Sequence, residues 1–231
     1  ISAAFILVFF AFYTSSGFVA SGKLFATLFD MPYVEAMFWG SIVMLAYTFF
    51  GGFLAVSWSD VLQGTLMFVA LVLVAWMGLS LAGGITPTLD QIAARDPQLL
   101  DPWIGSNGEA LGWIGILSLV GWGLGYAGQP HILARFMAIR RVEEMTAARR
   151  VAMVWVIAVL VAAVVVGLTG LLVLDTPLTG ADSEKVFILM STQFFHPAIA
   201  GICLAGIMAA IMSTASAQLL VSSSAFAEDF Y

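Results

Sequence analysis

Charge is what this chain has least of. Lys, Arg, Asp and Glu together make up 10% of 231 residues, where a soluble domain carries roughly a quarter. That scarcity excludes an ordinary water-facing surface. Cysteine is nearly absent: Cys203 is alone and lies inside an apolar run, so no disulfide framework forms within the chain. The two histidines, His131 and His196, have no Cys or carboxylate partner at ligand spacing, which argues against a transition-metal site. Nucleophile motifs, phosphate-cradling loops and paired catalytic carboxylates are also missing, so neither an enzyme nor a cofactor is expected. The net charge of −6 is dispersed over loops and no basic patch suggests nucleic acid. The sequence opens at Ile1 inside an apolar run, with no signal peptide, and stops at Tyr231 just after Glu228 and Asp229. Both ends read as cut from something longer.

What is abundant is apolar sequence in long runs. Hydrophobic residues are 61% of the chain and the mean hydropathy is +1.03. Residues 151–174 and 61–84 carry no charge at all. A bilayer core is crossed by roughly 20 apolar residues of helix, and strands of a barrel would be shorter and alternate apolar with polar. The expected fold class is therefore an all-α membrane protein, a bundle of transmembrane helices in a lipid bilayer. Six spans are predicted as one transmembrane domain, at about 1–29, 33–50, 60–81, 111–136, 151–174 and 197–226. Pro32 and the Gly51-Gly52 pair punctuate the second, and Gly83, Gly84 and Pro87 end the third. Residues 186–195 form a candidate short surface helix.

Five of the eight basic residues, Arg135, Arg140, Arg141, Arg149 and Arg150, sit in or beside the connection between the fourth and fifth spans. Short positive loops stay in the cytoplasm. That loop is expected inside; the long acidic loop 84–110 and the loop 175–185 are expected outside, and both chain ends inside.

Three stretches invite a chemical reading, and each has a plainer one. Residues 121–131 read GWGLGYAGQPH, four glycines and a proline in a predicted span. Glycine costs about 1 kcal/mol relative to alanine in a helix, and proline removes a ladder bond. At membrane depth such a break is tolerated where it faces protein or a water-filled cavity, and transporters place substrate and ion sites there. Trp122 and Tyr126 share a helix face at i, i+4, with Gln129 and Pro130 about a turn on. The plainer reading is close helix packing through the Gly121/Gly125 GxxxG pair. Ala210, Ser213 and Thr214, spaced i, i+3, i+4, can converge oxygens on a hard cation, or the hydroxyls can simply bond back to their own helix. In residues 13–17, YTSSG, Tyr13 serves equally as a substrate contact or an interhelix hydrogen-bond post. Asp60, after Ser57-Trp58-Ser59, is a helix N-cap or first-turn acid, or an acid that draws cations to a cavity rim.

Residues 47–60 (YTFFGGFLAVSWSD), 121–138 (GWGLGYAGQPHILARFMA) and 209–231 (AAIMSTASAQLLVSSSAFAEDFY) resemble the sodium:solute symporter family, and within it the bacterial members that carry proline. The likeness extends over essentially the whole chain. It implies a core of two inverted five-helix repeats in which these six spans are core helices three to eight, with the first and the last two core helices outside this sequence. It also implies sodium held between the first and eighth core helices, here through the Ala210 carbonyl and the Ser213 and Thr214 hydroxyls. Substrate contacts are implied at Tyr13, Trp122 and Tyr126, with Pro130 shaping the break, and Asp60 matches an acid tied to sodium dependence. The implied activity is sodium-coupled uptake of L-proline across the bacterial cytoplasmic membrane by alternating access, with sodium as coupling ion. The alternatives are a sodium symporter for another small solute and a transporter-like membrane sensor. A channel would need a charged or carbonyl-lined filter, which the sequence does not display.

Overall fold

A computed structural model describes residues 2–105, 108–176 and 178–229. Its first helix, α1, runs over Ser2–Phe29, about 42 Å at 1.5 Å per residue, more than a hydrocarbon core requires. It ends where Asp30 takes a left-handed φ of 49°, ahead of Pro32, whose carbonyl accepts from the Ala36 N–H at 3.0 Å. Helix α2, Tyr33–Leu81, is a 49-residue stretch broken at Gly52, whose φ of 59° and ψ of 179° are non-helical. Only glycine enters that region cheaply, so the Gly51-Gly52 pair divides α2 into the arms Tyr33–Phe50 and Gly52–Leu81.

The second arm starts at Gly52 and not at residue 60, because nothing between Phe53 and Ser59 stops a helix. Ser57 and Ser59 donate to the carbonyls of Phe53 and Val56 at 2.8 and 2.9 Å, which lets them ride inside it. Asp60 is consequently in the helix interior; it is not the N-cap or first-turn acid its sequence context suggests. The arm stops at Gly83 and Gly84, with φ of 90° and 107°.

The acidic loop contains a helix of its own, α3, Ile85–Arg95. Pro87 falls in its first turn, where a missing N–H costs nothing. Thr88 and Ile92 are its buried face, Gln91 Nε2 donates to the Ala82 carbonyl at 3.1 Å, and the Arg95 guanidinium bonds the Leu171 carbonyl.

The fourth predicted span is two helices: α4, Trp113–Tyr126, and α5, Pro130–Met137. After the arginine-bearing turn come α6, Met145–Val173, α7, Val186–Phe194, and α8, Pro197–Asp229. The residues of the candidate surface helix do form α7, and Ile188, Met190 and Ser191 on it are buried. Among the described residues, five helical stretches are long and apolar enough to cross a membrane: Ser2–Phe29, Tyr33–Phe50, Gly52–Leu81, Val142–Val173 and Pro197–Asp229. Among the described residues there are no strands beyond an isolated bridge between Ile104 and Ala110.

The chain divides into two compact units, one of Ile1–Phe68 with Ala205–Tyr231 and one of Val69–Leu204. In the second, Ala70, Val74, Ala75, Ala162, Val166, Met190 and Cys203 form the core. Glycine brings its helices together. A Cβ on Gly78 would overlap Thr169 Oγ1 and stand 2.8 Å from Met190 Cε, and one on Gly170 would overlap Val186 Cγ2. In the first unit, α1 packs on the first arm of α2 through Gly22, where a Cβ would lie 3.0 Å from Met37 Cβ. The same α1 runs antiparallel along α8. Gly17 faces Ile211 and Ala215 there, and Thr14, one turn earlier, bonds Gln218.

Candidate functional site: a broken helix and a hydroxyl-bearing helix face

In the second unit, the break between α4 and α5 spans Ala127 to Gln129. The Gly128 N–H reaches only the Gly125 carbonyl, at 3.1 Å, and the Gln129 N–H reaches the Tyr126 carbonyl at 3.3 Å. These tight bonds close α4, and the ladder is not carried across. Gln129 then takes the N-cap of α5 with an extended backbone (φ −70°, ψ 122°), and Pro130 occupies the first turn, where proline's fixed φ favours helix initiation. The Gln129 carbonyl accepts from Ile132 and Leu133, both at 3.0 Å. Its side-chain Oε1 is shielded from solvent and has no hydrogen-bond partner among the described residues.

Trp122 lies on α4 one turn before Tyr126; its side chain lies outside the described residues. Tyr126 is the last residue of α4 and is 43% exposed, while His131 is buried on the first turn of α5. The GxxxG pair makes no close helix contact here: a Cβ on Gly121, Gly123 or Gly125 would meet no described atom within 4 Å.

In the first unit, Ala210, Ser213 and Thr214 are half-buried along one face of α8. Ser213 Oγ donates to the Ala210 carbonyl at 3.1 Å, so two of the three candidate oxygens are already side by side. Ser216 is buried and donates to the Ser213 carbonyl at 3.2 Å, turned away by 200° from Thr214 at about 100° per residue. On α1, Ser15 and Ser16 bond back to the carbonyls of Phe12 and Tyr13, both at 2.6 Å, whereas Tyr13 itself is 37% exposed. Asp60 is half-buried, with Oδ1 shielded from solvent. No group of three or more His, Cys, Asp or Glu able to hold a metal occurs among the described residues.

Comparison with known proteins decides the family. The model of the sodium:solute symporter family matches residues 1–231. The chain belongs to the sodium:solute symporter family. It is 45% identical over 232 residues to the osmoregulated proline transporter OpuE of Bacillus subtilis, covering all of this chain and 46% of the relative. It is 46% identical over 227 residues to the high-affinity proline transporter PutP of the same organism, covering 98% of this chain and 47% of the relative. To the sodium/proline symporter of Escherichia coli it is 46% identical over 236 residues, covering all of this chain and 46% of the relative. The chain thus spans about half the length of the relatives it matches. No solved structure matches it.

As a member of this family the chain is a multi-pass membrane protein, which accounts for its exposed apolar helix faces, such as Phe49 and Phe50 at 84% and 86%. One feature of the first unit escapes sequence reasoning. Thr14 Oγ1 donates to Gln218 Oε1 at 3.1 Å across 204 residues, and both side chains are buried. The one sequence signal was a lone carboxamide in an apolar helix, which has no partner until the fold supplies it.

Proposed function

We propose that the protein couples the uptake of L-proline to sodium entry across the bacterial cytoplasmic membrane by alternating access, with sodium as the coupling ion. The observation that carries the reading is the break between α4 and α5, where the helical ladder stops, the two helix ends face one another across Ala127–Gln129, and the shielded Gln129 Oε1 has no hydrogen-bond partner among the described residues. At membrane depth such groups need a polar ligand or a hydrated cavity. Proline is a zwitterion with a flat apolar ring. The negative end of α4 and the shielded Gln129 Oε1 suit its secondary ammonium, and the positive end of α5 suits its carboxylate. Trp122 and Tyr126 offer ring surface to the pyrrolidine, and Pro130 sets the geometry of the turn. Tyr13, on α1 of the first unit, is assigned separately as a substrate contact. The names of the relatives, proline transporters and a sodium/proline symporter, supply the substrate and ion that fit this set.

The ion site is assigned to the Ala210 carbonyl and the hydroxyls of Ser213 and Thr214, uncharged oxygens suited to a hard monovalent cation by the preference hard cations have for oxygen. Asp60 is the sodium-linked acid. In the whole carrier, Trp122→Ala and Tyr126→Ala are expected to weaken uptake at limiting proline about tenfold, the loss of roughly 1.4 kcal/mol, with the amount of folded protein unchanged. Unchanged uptake in both variants would sink the substrate site.

The arginine-rich turn between α5 and α6 is assigned to the cytoplasm. Ala147, exposed near the start of α6, reports on this. A cysteine placed there in the whole carrier should react with an impermeant thiol reagent only in inside-out vesicles; strong labelling of intact cells would reverse the topology.

A further inference from the structure

The buried pair Thr14–Gln218 lies in the first unit, next to Tyr13 on one helix and to the assigned ion face on the other. Thr14 directly follows Tyr13 on α1. Gln218 follows Thr214 by four residues on α8, about 40° around the helix at 100° per residue, so it stands one turn along nearly the same face as the sodium hydroxyl. Around the pair, α1 and α8 touch through small surfaces: Gly17 meets Ile211 Cγ2 at 3.8 Å and Ala215 Cβ at 3.9 Å. The Thr14–Gln218 bond, at 3.1 Å, is a buried side-chain link that joins these helices.

Its make-up is unlike that of a packing contact. Thr14 is 5% exposed and Gln218 1%, and Gln218 Nε2 is shielded without a hydrogen-bond partner among the described residues. An orphaned buried donor is costly, whereas two apolar side chains of the same shape at these positions would fold as well or better. Polar side chains inside membrane-spanning helices are costly and face the bundle interior or a water-filled cavity.

We infer that Thr14 and Gln218 are positioning residues that hold α1, with Tyr13, in register with the sodium-binding face of α8, so that occupation of the ion site is felt at the Tyr13 substrate contact. The inference rests on the site assignment proposed above. A thermodynamic coupling between two ligands needs an element that both sites bias, and this bond is a physical link of that kind within the first unit.

The test is the sodium dependence of proline uptake in the whole carrier, measured for Thr14→Val, Gln218→Met, the double variant, Thr14→Ser and Thr214→Ala. Thr14→Val and Gln218→Met should each raise the sodium concentration for half-maximal uptake about fivefold, the low end of coupling between linked sites. The double variant should do no worse than the larger single, because both remove one shared interaction. Thr14→Ser, which keeps the hydroxyl, should behave as the parent. If a single variant fails to reach the membrane, the double variant carries the test, since it leaves no buried polar orphan. Parental sodium dependence in the double variant, with Thr214→Ala shifted, would overturn the positioning role and leave the ion site standing. Parental behaviour in Thr214→Ala as well would remove the ion site itself.

Discussion

Gly78 and Gly123 belong to the same compact unit and are the same residue type, yet they do opposite things. At Gly78 the missing side chain is space already taken, by Thr169 and Met190. At Gly123, as at Gly121 and Gly125, no described atom would meet an added Cβ within 4 Å. The first kind of glycine lets helices approach and contributes to stability by close packing. The second costs helix propensity, about 1 kcal/mol per position, with no packing return inside this chain. A run of such positions followed by Pro130 ends α4 where a simple span would continue. A glycine-rich helix in a membrane protein is therefore ambiguous until each glycine is asked what its Cβ would touch.

That contrast can be broken by substitution. Gly78→Val should have the largest effect: overpacking a filled contact costs 1–3 kcal/mol, and a branched side chain against Thr169 and Met190 belongs at about 3. Thermal unfolding of the purified carrier in detergent should show a clear drop in midpoint, and an unchanged midpoint would mean the contact between the second arm of α2 and α6 is looser than drawn. Smallest in stability is Gly123→Ala, expected to leave the midpoint unchanged or to raise it by up to about 1 kcal/mol worth of helix propensity. Its uptake should nonetheless fall, because a stiffer α4 resists the break. Gly123→Ala with lower stability and full uptake would invert the assignment of the two glycine classes.

Much of the helical framework was legible because its determinants are local. Pro32, Gly52, Gly83 and Gly84 end helices by restricting or freeing a single residue's φ, and the break at residues 127–129 follows from glycine density ahead of Pro130. Two local readings went another way. Ser57-Trp58-Ser59-Asp60 has the look of a helix start, but serines also sit comfortably inside a helix by bonding back, so the helix began at Gly52 and left Asp60 inside it. Pro87 reads as part of the stop after the third span, with 84–110 as a loop, yet proline in a first turn is harmless and α3 forms around it, docked by Ile92, Gln91 and Arg95. Long-range pairings were not legible. Gly78 against Thr169, and Thr14 against Gln218, depend on which helix faces meet, and in an apolar sequence nearly every face is hydrophobic enough to be an interface. The candidate ion face stands between these cases: its i, i+3, i+4 spacing is local, while the choice between ligand and back-bonded hydroxyl is not. The Ser213 bond to the Ala210 carbonyl is compatible with both.

The central claim is that the α8 hydroxyls serve an ion that drives proline uptake, and the sodium dependence of Thr214→Ala tests it most directly. In the whole carrier this variant should need a higher sodium concentration for half-maximal proline uptake, and added sodium should restore part of the lost proline affinity through the shared coupling. Ser216→Ala, on the opposite side of α8, should match the parent. If Thr214→Ala also matches the parent at every sodium concentration, the hydroxyl is a packing group and the ion site assigned to this helix is wrong.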